Sequence, residues 1–256
     1  MKKHKLSAVV TTFNNADTLK RCLQSAAELA DEIVVLDSYS DDASLTIASD
    51  FSAKIHQQTF QGFGAQKTAA ICLASNDWIL LLDADEALSA ALQEEIAALK
   101  SSGFKAPGYR LRRREWLANK KPITEHGRWQ HRWVKLTDHL RLFHRQQIEF
   151  TSHPVHAAPY SSAATELLQA DLLHWGDAPF SRRLEKAYRY ASLYSVTKSR
   201  NTWIKPYFAP VWAFIQDFFI RRYFFDSYLG FHAAKCSFWS SYWKYKLSKT
   251  KAGPSE

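Results

Sequence analysis

Asp83 and Asp85 stand one residue apart at the end of Trp78-Ile-Leu-Leu-Leu-Asp83, an apolar run that stops abruptly in three acids, the third being Glu86. Side chains two apart on an extended chain point the same way, so this pair can share one divalent cation or one cation-bound diphosphate. Glu86 is expected to point elsewhere or to open the next turn. A second apolar run, Glu32-Ile-Val-Val-Leu-Asp37, also ends in an acid. His153 and His156, close together between Ile148 and Tyr160, and His174, expected at a turn before Gly176, are candidates for acid–base work. None has a third ligand at zinc-site spacing. Acids after a strand also describe an ordinary solvated turn, so the surrounding elements have to decide.

Those elements alternate regularly. Leu6–Val10, Glu32–Asp37, Lys54–Gln57 and Trp78–Asp83 read as strands. Between them lie helical faces carrying Leu19, Leu23 and Ala26, then Leu45 and Ala48, then Ala69, Ala70 and Leu73. Asn15 is the expected cap of the first helix, and Ser89 caps a further helix with Leu92, Ile96 and Leu99 that Gly103 closes. Four strand–helix units in about a hundred residues predict a mostly parallel α/β sheet with helices on both faces. Continuous apolar strands belong to such a doubly covered sheet, where ligands gather at the carboxyl ends. Asp37 and Asp83 then share one rim.

From Lys105 to Arg145 twelve Lys and Arg face only Glu115, Glu125 and Asp138. Tyr109 and Leu111 alternate with arginines, as Leu140 and Leu142 do with Arg141, which predicts strands with one wet, basic face. Beyond Phe180 the chain turns helical. From Trp203 to Phe225 it is densely aromatic, and Trp239, Tyr242, Trp243 and Tyr245 continue that texture among lysines. Rings mixed with cations suit a membrane headgroup boundary, or else pack onto the rest of the fold. The tail Lys249–Glu256 is expected to be disordered.

The chain of 256 residues, 46% hydrophobic, with a formal charge of +9, is globular in composition and suited to an anionic partner. Cys22, Cys72 and Cys236 fit neither a disulfide framework nor a Cys-x-x-Cys site, which points to a reducing compartment. No apolar run approaches the ~20 residues needed to span a bilayer, so a soluble or peripheral cytoplasmic protein is expected. A GxxxxGK[ST] loop is absent and Thr11–Asp17 holds no glycine, which disfavours P-loop enzymes and dehydrogenases. Diphosphate binding through a carboxylate-held metal remains.

Four motifs now fall into order: Val9–Asp17 (VVTTFNNAD), Ala30–Asp42 (ADEIVVLDSYSDD), Gly62–Lys67 (GFGAQK) and Leu81–Glu86 (LLDADE). In order and spacing they resemble the inverting glycosyltransferases of family 2, with the Rossmann-like GT-A fold. Within that family the chain is similar to lipopolysaccharide core biosynthesis glucosyltransferases, through Arg141-Leu-Phe143, Val155-His156 and the aromatic C-terminal segment ending near Lys244-Tyr245.

The resemblance implies a nucleotide-sugar-binding half over 1–104 and an acceptor-side half over 105–180. A helical, membrane-associating segment follows over 181–256. It places Thr12, Asn14, Asp37, Lys67 and Asp83 at the nucleotide, and Asp85 with Asp83 at Mg²⁺ or Mn²⁺. Inversion requires a base on the acceptor hydroxyl. The relatives generally carry His-Glu where this chain has His156-Ala157, which leaves Asp138, Glu149 and His156 as candidates. The expected activity is transfer of a hexose, foremost glucose from UDP-glucose, to an anionic glycolipid such as the lipopolysaccharide inner core, on the cytoplasmic side of the inner membrane. A catalytically impaired nucleotide-sugar-binding or membrane-surface module is the alternative. A nucleic-acid-binding protein is a third reading that no recognition motif supports.

Overall fold

The structure is a computed structural model. It describes residues 4–117, 121–122, 138–150, 159–175, 205–221 and 223–249, with 184–185, 187–188 and 191–192. His153, His156, Ala157 and the tail from Thr250 lie outside the described residues. The chain divides into two compact units, 1–126 with 135–176, and 127–134 with 177–256.

The first unit is built on a mixed sheet. Its strands are β1 (Leu6–Thr12), β2 (Glu32–Asp37), β3 (Lys54–Gln57), β4 (Trp78–Asp83), β5 (Glu86–Leu88), β6 (Gly108–Leu117), β7 (Lys121–Pro122), β8 (Asp138–His144) and β11 (Glu166–Trp175). They run in the order β3-β2-β1-β4-β8-β6-β11-β5, with β7 beside β6. A short separate pair is formed by β9 (Glu149–Phe150) and β10 (Pro159–Tyr160). The first four strands are mutually parallel, as expected. Beyond β4 the sheet turns mixed, because β8 runs antiparallel to both β4 and β6, and β5 antiparallel to β11.

The helices of this unit are α1 (Ala16–Ala27), α2 (Ser44–Asp50), α3 (Phe63–Cys72) and α4 (Ala90–Ser102). Strand alternation divides the apolar residues between two cores. Ala8, Val10, Val35, Leu80 and Leu82 pack with Leu19 and Leu23 of α1 and Leu92 and Ile96 of α4. Val9, Val34, Ile79 and Leu81 pack with Ala70 and Ile71 of α3 on the other face. Helices therefore cover both faces, and an unbroken apolar strand such as Ile79–Leu82 is what this burial demands.

Ser89 caps α4 as expected, its Oγ accepting from the Leu92 N–H at 3.2 Å. Asn15 makes no side-chain cap to α1. Its place is taken by Asp42, which accepts from the Ala16 N–H at 3.0 Å, and by Ser44, which accepts from the Asn15 N–H at 3.0 Å. The start of α1 is thus tied to the loop after β2.

In the second unit, α5 (Lys205–Ile215) runs into a π-turn at Gln216–Ile220, and α6 (Ser227–Lys249) packs back on it. Phe214 and Phe218 meet Phe231 of α6 with ring centroids 5.9 Å apart. Buried Asp217 accepts from Arg221 at 2.6 Å and from the Ser237 hydroxyl, joining the two helices. Among the described residues no helix is long and apolar enough to cross a membrane.

Candidate active site

Three adjacent parallel strands deliver Thr12, Asp37 and Asp83 to one rim, because Thr12 pairs with Asp37 and Thr11 with Asp83 in the register. Asp37 is fully buried. It accepts from the Ser40 N–H at 2.8 Å, the Ser40 hydroxyl at 2.5 Å and the Gln57 amide at 3.0 Å, so its direction is fixed by its own loop. Asn14 holds the facing loop: its N–H donates to Ser40 Oγ at 2.8 Å and its Oδ1 accepts from the Asp41 N–H at 3.0 Å. Its φ of 53° lies in the left-handed region, where asparagine is among the more tolerant residues. Thr12 Oγ1 is buried and without a hydrogen-bond partner in this structure.

Lys67, from α3, sits 2.6 Å from Asp83 Oδ1, and Arg141, from β8, sits 2.6 Å from Asp83 Oδ2. Burial raises the Asp83 carboxyl, but Arg141 and then Lys67 overcome it and hold the group well below the usual carboxylate range. Asp85 instead lies 3.4 Å from Nε2 of His174. The chain turns between the two carboxylates, at Ala84 and Asp85.

Two further residues complete the group. Glu86 is buried: its Oε2 accepts from the Asp83 N–H at 3.1 Å and its Oε1 from Arg141 at 2.6 Å. Burial, reinforced by the Asp83 charge against the pull of Arg141, raises its carboxyl. His139, one residue into β8, is held neutral, its pKa lowered to about 4 by burial and then by Arg141 and Arg113. Among the described residues no group of three or more His, Cys, Asp or Glu is placed to hold a metal on its own.

The base candidates separate. Asp138 opens β8 and so lies toward the rim, 3.6 Å from Arg110. Glu149 follows the far end of β8, beyond His144, which pairs with Trp78 at the start of β4. There it accepts from the Tyr160 hydroxyl and is not brought to the Asp83 rim. His156 lies outside the described residues.

Arg141 and His174 carry more of the arrangement than their sequence positions suggest. Arg141, expected on a wet face, is 4% exposed. His174 is not at a turn but inside β11, opposite Glu86.

A family model described as Glycosyl transferase family 2 matches residues 7–164, a span that holds Thr12, Asp37, Asp83, Asp85 and Arg141 and stops short of His174. The chain belongs to glycosyl transferase family 2. The α/β sheet covered on both faces and the aromatic helical C-terminal segment are as the resemblance implied. An uncharacterized glycosyltransferase of Rickettsia bellii is 41% identical over 98 residues, which is 38% of this chain and 33% of that one. The chain thus spans about a third of the first curated relatives it matches. The lipopolysaccharide core biosynthesis glycosyltransferase LpsC of Rhizobium meliloti is 30% identical over 44% of this chain and 43% of its own. Among solved structures, glucosyl-3-phosphoglycerate synthase from Mycobacterium tuberculosis, in complex with Mn²⁺, UDP and glucosyl-3-phosphoglycerate, is 15% identical over 75% of this chain and 78% of that one, with a TM-score of 0.49.

Proposed function

We propose that this chain is an inverting hexosyltransferase that draws on a nucleotide-sugar donor, foremost UDP-glucose. The observation that carries the reading is the juxtaposition of Thr12, Asp37 and Asp83 at the ends of three parallel strands with Lys67 and Arg141 among the acids. Carboxylates can take the ribose and base hydroxyls and amides, and the cations can take phosphate. In this reading Asp37 and Thr12 orient the nucleoside, Asn14 keeps the loop over it, and Lys67 turns from Asp83 to the diphosphate as the donor enters.

The residues present fit a divalent ion at Asp85. Two ligand atoms on one ion at about 2.1 Å lie roughly 3.0–3.4 Å apart. Asp85 Oδ2 and His174 Nε2 are separated by 3.4 Å. Asp83, with both oxygens engaged by cations, is the weaker ligand of the expected pair. Bound there, Mg²⁺ or Mn²⁺ would supply Lewis-acid charge to the departing diphosphate. The base belongs to Asp138 or His156 in this reading, since Glu149 follows the opposite end of β8.

The acceptor we assign is an anionic glycolipid of the lipopolysaccharide inner-core kind, in line with the LpsC relative and with the basic segment from Lys105 to Arg145. Association with the cytoplasmic face of the inner membrane is part of the same proposal. It is supported by the exposed rings of α5, Tyr207, Phe208 and Trp212, at 74%, 70% and 57%. Ala157 favours one other reading, a nucleotide-sugar-binding module without transfer.

A thermal-shift panel of UDP-, GDP-, ADP- and CMP-sugars with Mn²⁺, followed by assay of the stabilising donor, decides between them. A transferase shows sugar transfer or slow donor hydrolysis that Asp85→Ala reduces at least about 100-fold, the scale of losing one electrostatic stabiliser of a transition state. Binding with neither reaction supports the module. Unchanged transfer by Asp85→Ala would overturn the site assignment.

A further inference from the structure

Arg141 owes its direction to a break in the sheet. Between β6 and β8, Tyr109 is opposite Leu142 and Arg110 is opposite Leu140, so Arg141 has no counterpart across the ladder. Such a bulge bends the strand and re-aims a side chain. The effect is visible in the flanking leucines: Leu142 enters one core and Leu140 the core on the other face, although residues two apart in a regular strand share a face. The freed guanidinium turns inward. One nitrogen, Nη2, lies 2.6 Å from both Asp83 Oδ2 and Glu86 Oε1.

These two carboxylates are the ends of a four-residue turn. Glu86 Oε2 closes that turn again by accepting from the Asp83 N–H at 3.1 Å. Asp85 sits inside the loop so formed, and where its carboxylate points follows from how the ends are held.

We propose that Arg141 is a positioning residue for sugar transfer, locking the Asp83–Glu86 turn from its bulge so that Asp83 and Asp85 meet the donor diphosphate in one geometry. The proposal rests on the transferase reading above. It differs from a purely structural role, in which Arg141 does no more than neutralise buried Glu86. Removing Arg141 alone would leave that buried carboxylate facing Arg113 at 3.8 Å in place of a cation at 2.6 Å, and so threatens the fold. Removing both charges relieves the burden but leaves Asp83 without its lock.

The test uses the full chain, unchanged and as Arg141→Lys, Glu86→Gln and the double variant Arg141→Met with Glu86→Gln. Melting temperature, UDP affinity by calorimetry with and without Mn²⁺, and kcat and KM for UDP-glucose are measured on each. The double variant is expected to melt near the unchanged protein while its kcat falls about 10–100-fold, the usual cost of losing a group that orients a site residue. Its UDP affinity with Mn²⁺ should fall by about tenfold or more. Arg141→Lys keeps the charge without the guanidinium's planar fork, and is expected to lose kcat to a similar extent while staying folded. Wild-type kcat and UDP affinity in either folded variant overturn the proposal. Absence of both UDP binding and turnover in the unchanged protein overturns instead the transferase reading on which it rests, a result distinguishable because no variant is involved.

Discussion

At Asp83 two cations hold two oxygens of one carboxylate, yet they are not equivalent. The Arg141 side chain is 5% exposed and shared with Glu86, whereas Lys67, at 12%, pairs with Asp83. Displacing Arg141 would leave Asp83 with Lys67 and buried Glu86 with the more distant Arg113, at 3.8 Å; displacing Lys67 leaves both acids with Arg141. On the proposed function, Lys67 is therefore the cation to leave Asp83 for the donor diphosphate. Lys67→Met should raise the KM for the nucleotide sugar about tenfold, equivalent to about 1.4 kcal/mol, with a smaller change in kcat. Steady-state kinetics across donor concentrations checks this, and an unchanged KM would confine Lys67 to holding Asp83.

Elements rather than single residues determine whether that group forms. Gly108 opens β6 against the bulge, and a Cβ there would come within 2.8 Å of Leu140 Cδ1 and 3.2 Å of Phe143 Cβ. Gly108→Ala should cost about 1–3 kcal/mol through overpacking and should lower transfer more than stability alone explains, since it presses on the strand that aims Arg141. Urea unfolding beside kinetics separates the two effects.

At the opposite edge Glu32 binds β1, β3 and the loop before β4 together. It accepts from the Ser7 hydroxyl at 2.5 Å, Lys54 at 2.5 Å and the Ser75 N–H at 2.8 Å. Burial opposes ionisation there, but Lys54, Ser7 and Ser75 prevail and lower its pKa to about 2 from an ordinary 4.5. The folded value is the depressed one, so the stabilisation is complete above about pH 4.5 and is lost as pH falls toward 2. Glu32→Gln should cost about 1 kcal/mol at neutral pH, because its Lys54 partner is exposed and screened, and should flatten the acid limb of a stability–pH curve, which denaturant titration between pH 2 and 7 can record.

The parallel core was legible in the chain because each buried strand, such as Ile79–Leu82, must be apolar on both faces, and composition reveals that directly. Asp37 and Asp83 were legible as rim residues for the same reason. Arg141 was not: alternation with Leu140 and Leu142 describes a wet face in a regular strand, and a bulge is a property of pairing with β6 that no single segment contains. His174 and the helix cap supplied by Asp42 depend likewise on which strands and loops become neighbours.

Taken whole, the charge is unevenly spread. Residues 177–256 carry fourteen Lys and Arg against five Asp and Glu, equal in excess to the net +9 of the entire chain. The same segment exposes Tyr207, Phe208, Val211 and Trp212 of α5, with Phe219 and Ile220 of the π-turn beyond, while half-buried Phe214 and Phe218 pack against Phe231, itself exposed. Exposed rings that recur along one helix, in a segment whose sequence carries such an excess of cations, suit a surface that is both apolar and anionic, such as the boundary of an acidic bilayer. Full burial of one large apolar side chain is worth about 1.5–3 kcal/mol, so losing two rings that sink even half-way should weaken partitioning by about tenfold or more. Phe208→Ser with Trp212→Ser should therefore release the protein from vesicles containing phosphatidylglycerol. Turnover of a soluble acceptor, measured on the same variant, separates loss of membrane binding from loss of catalysis. Raising salt should weaken binding of the unchanged protein only in part, since the apolar contribution is not screened. Co-sedimentation of the double variant equal to that of the unchanged protein would remove α5 as the membrane face and leave its exposed rings to another partner.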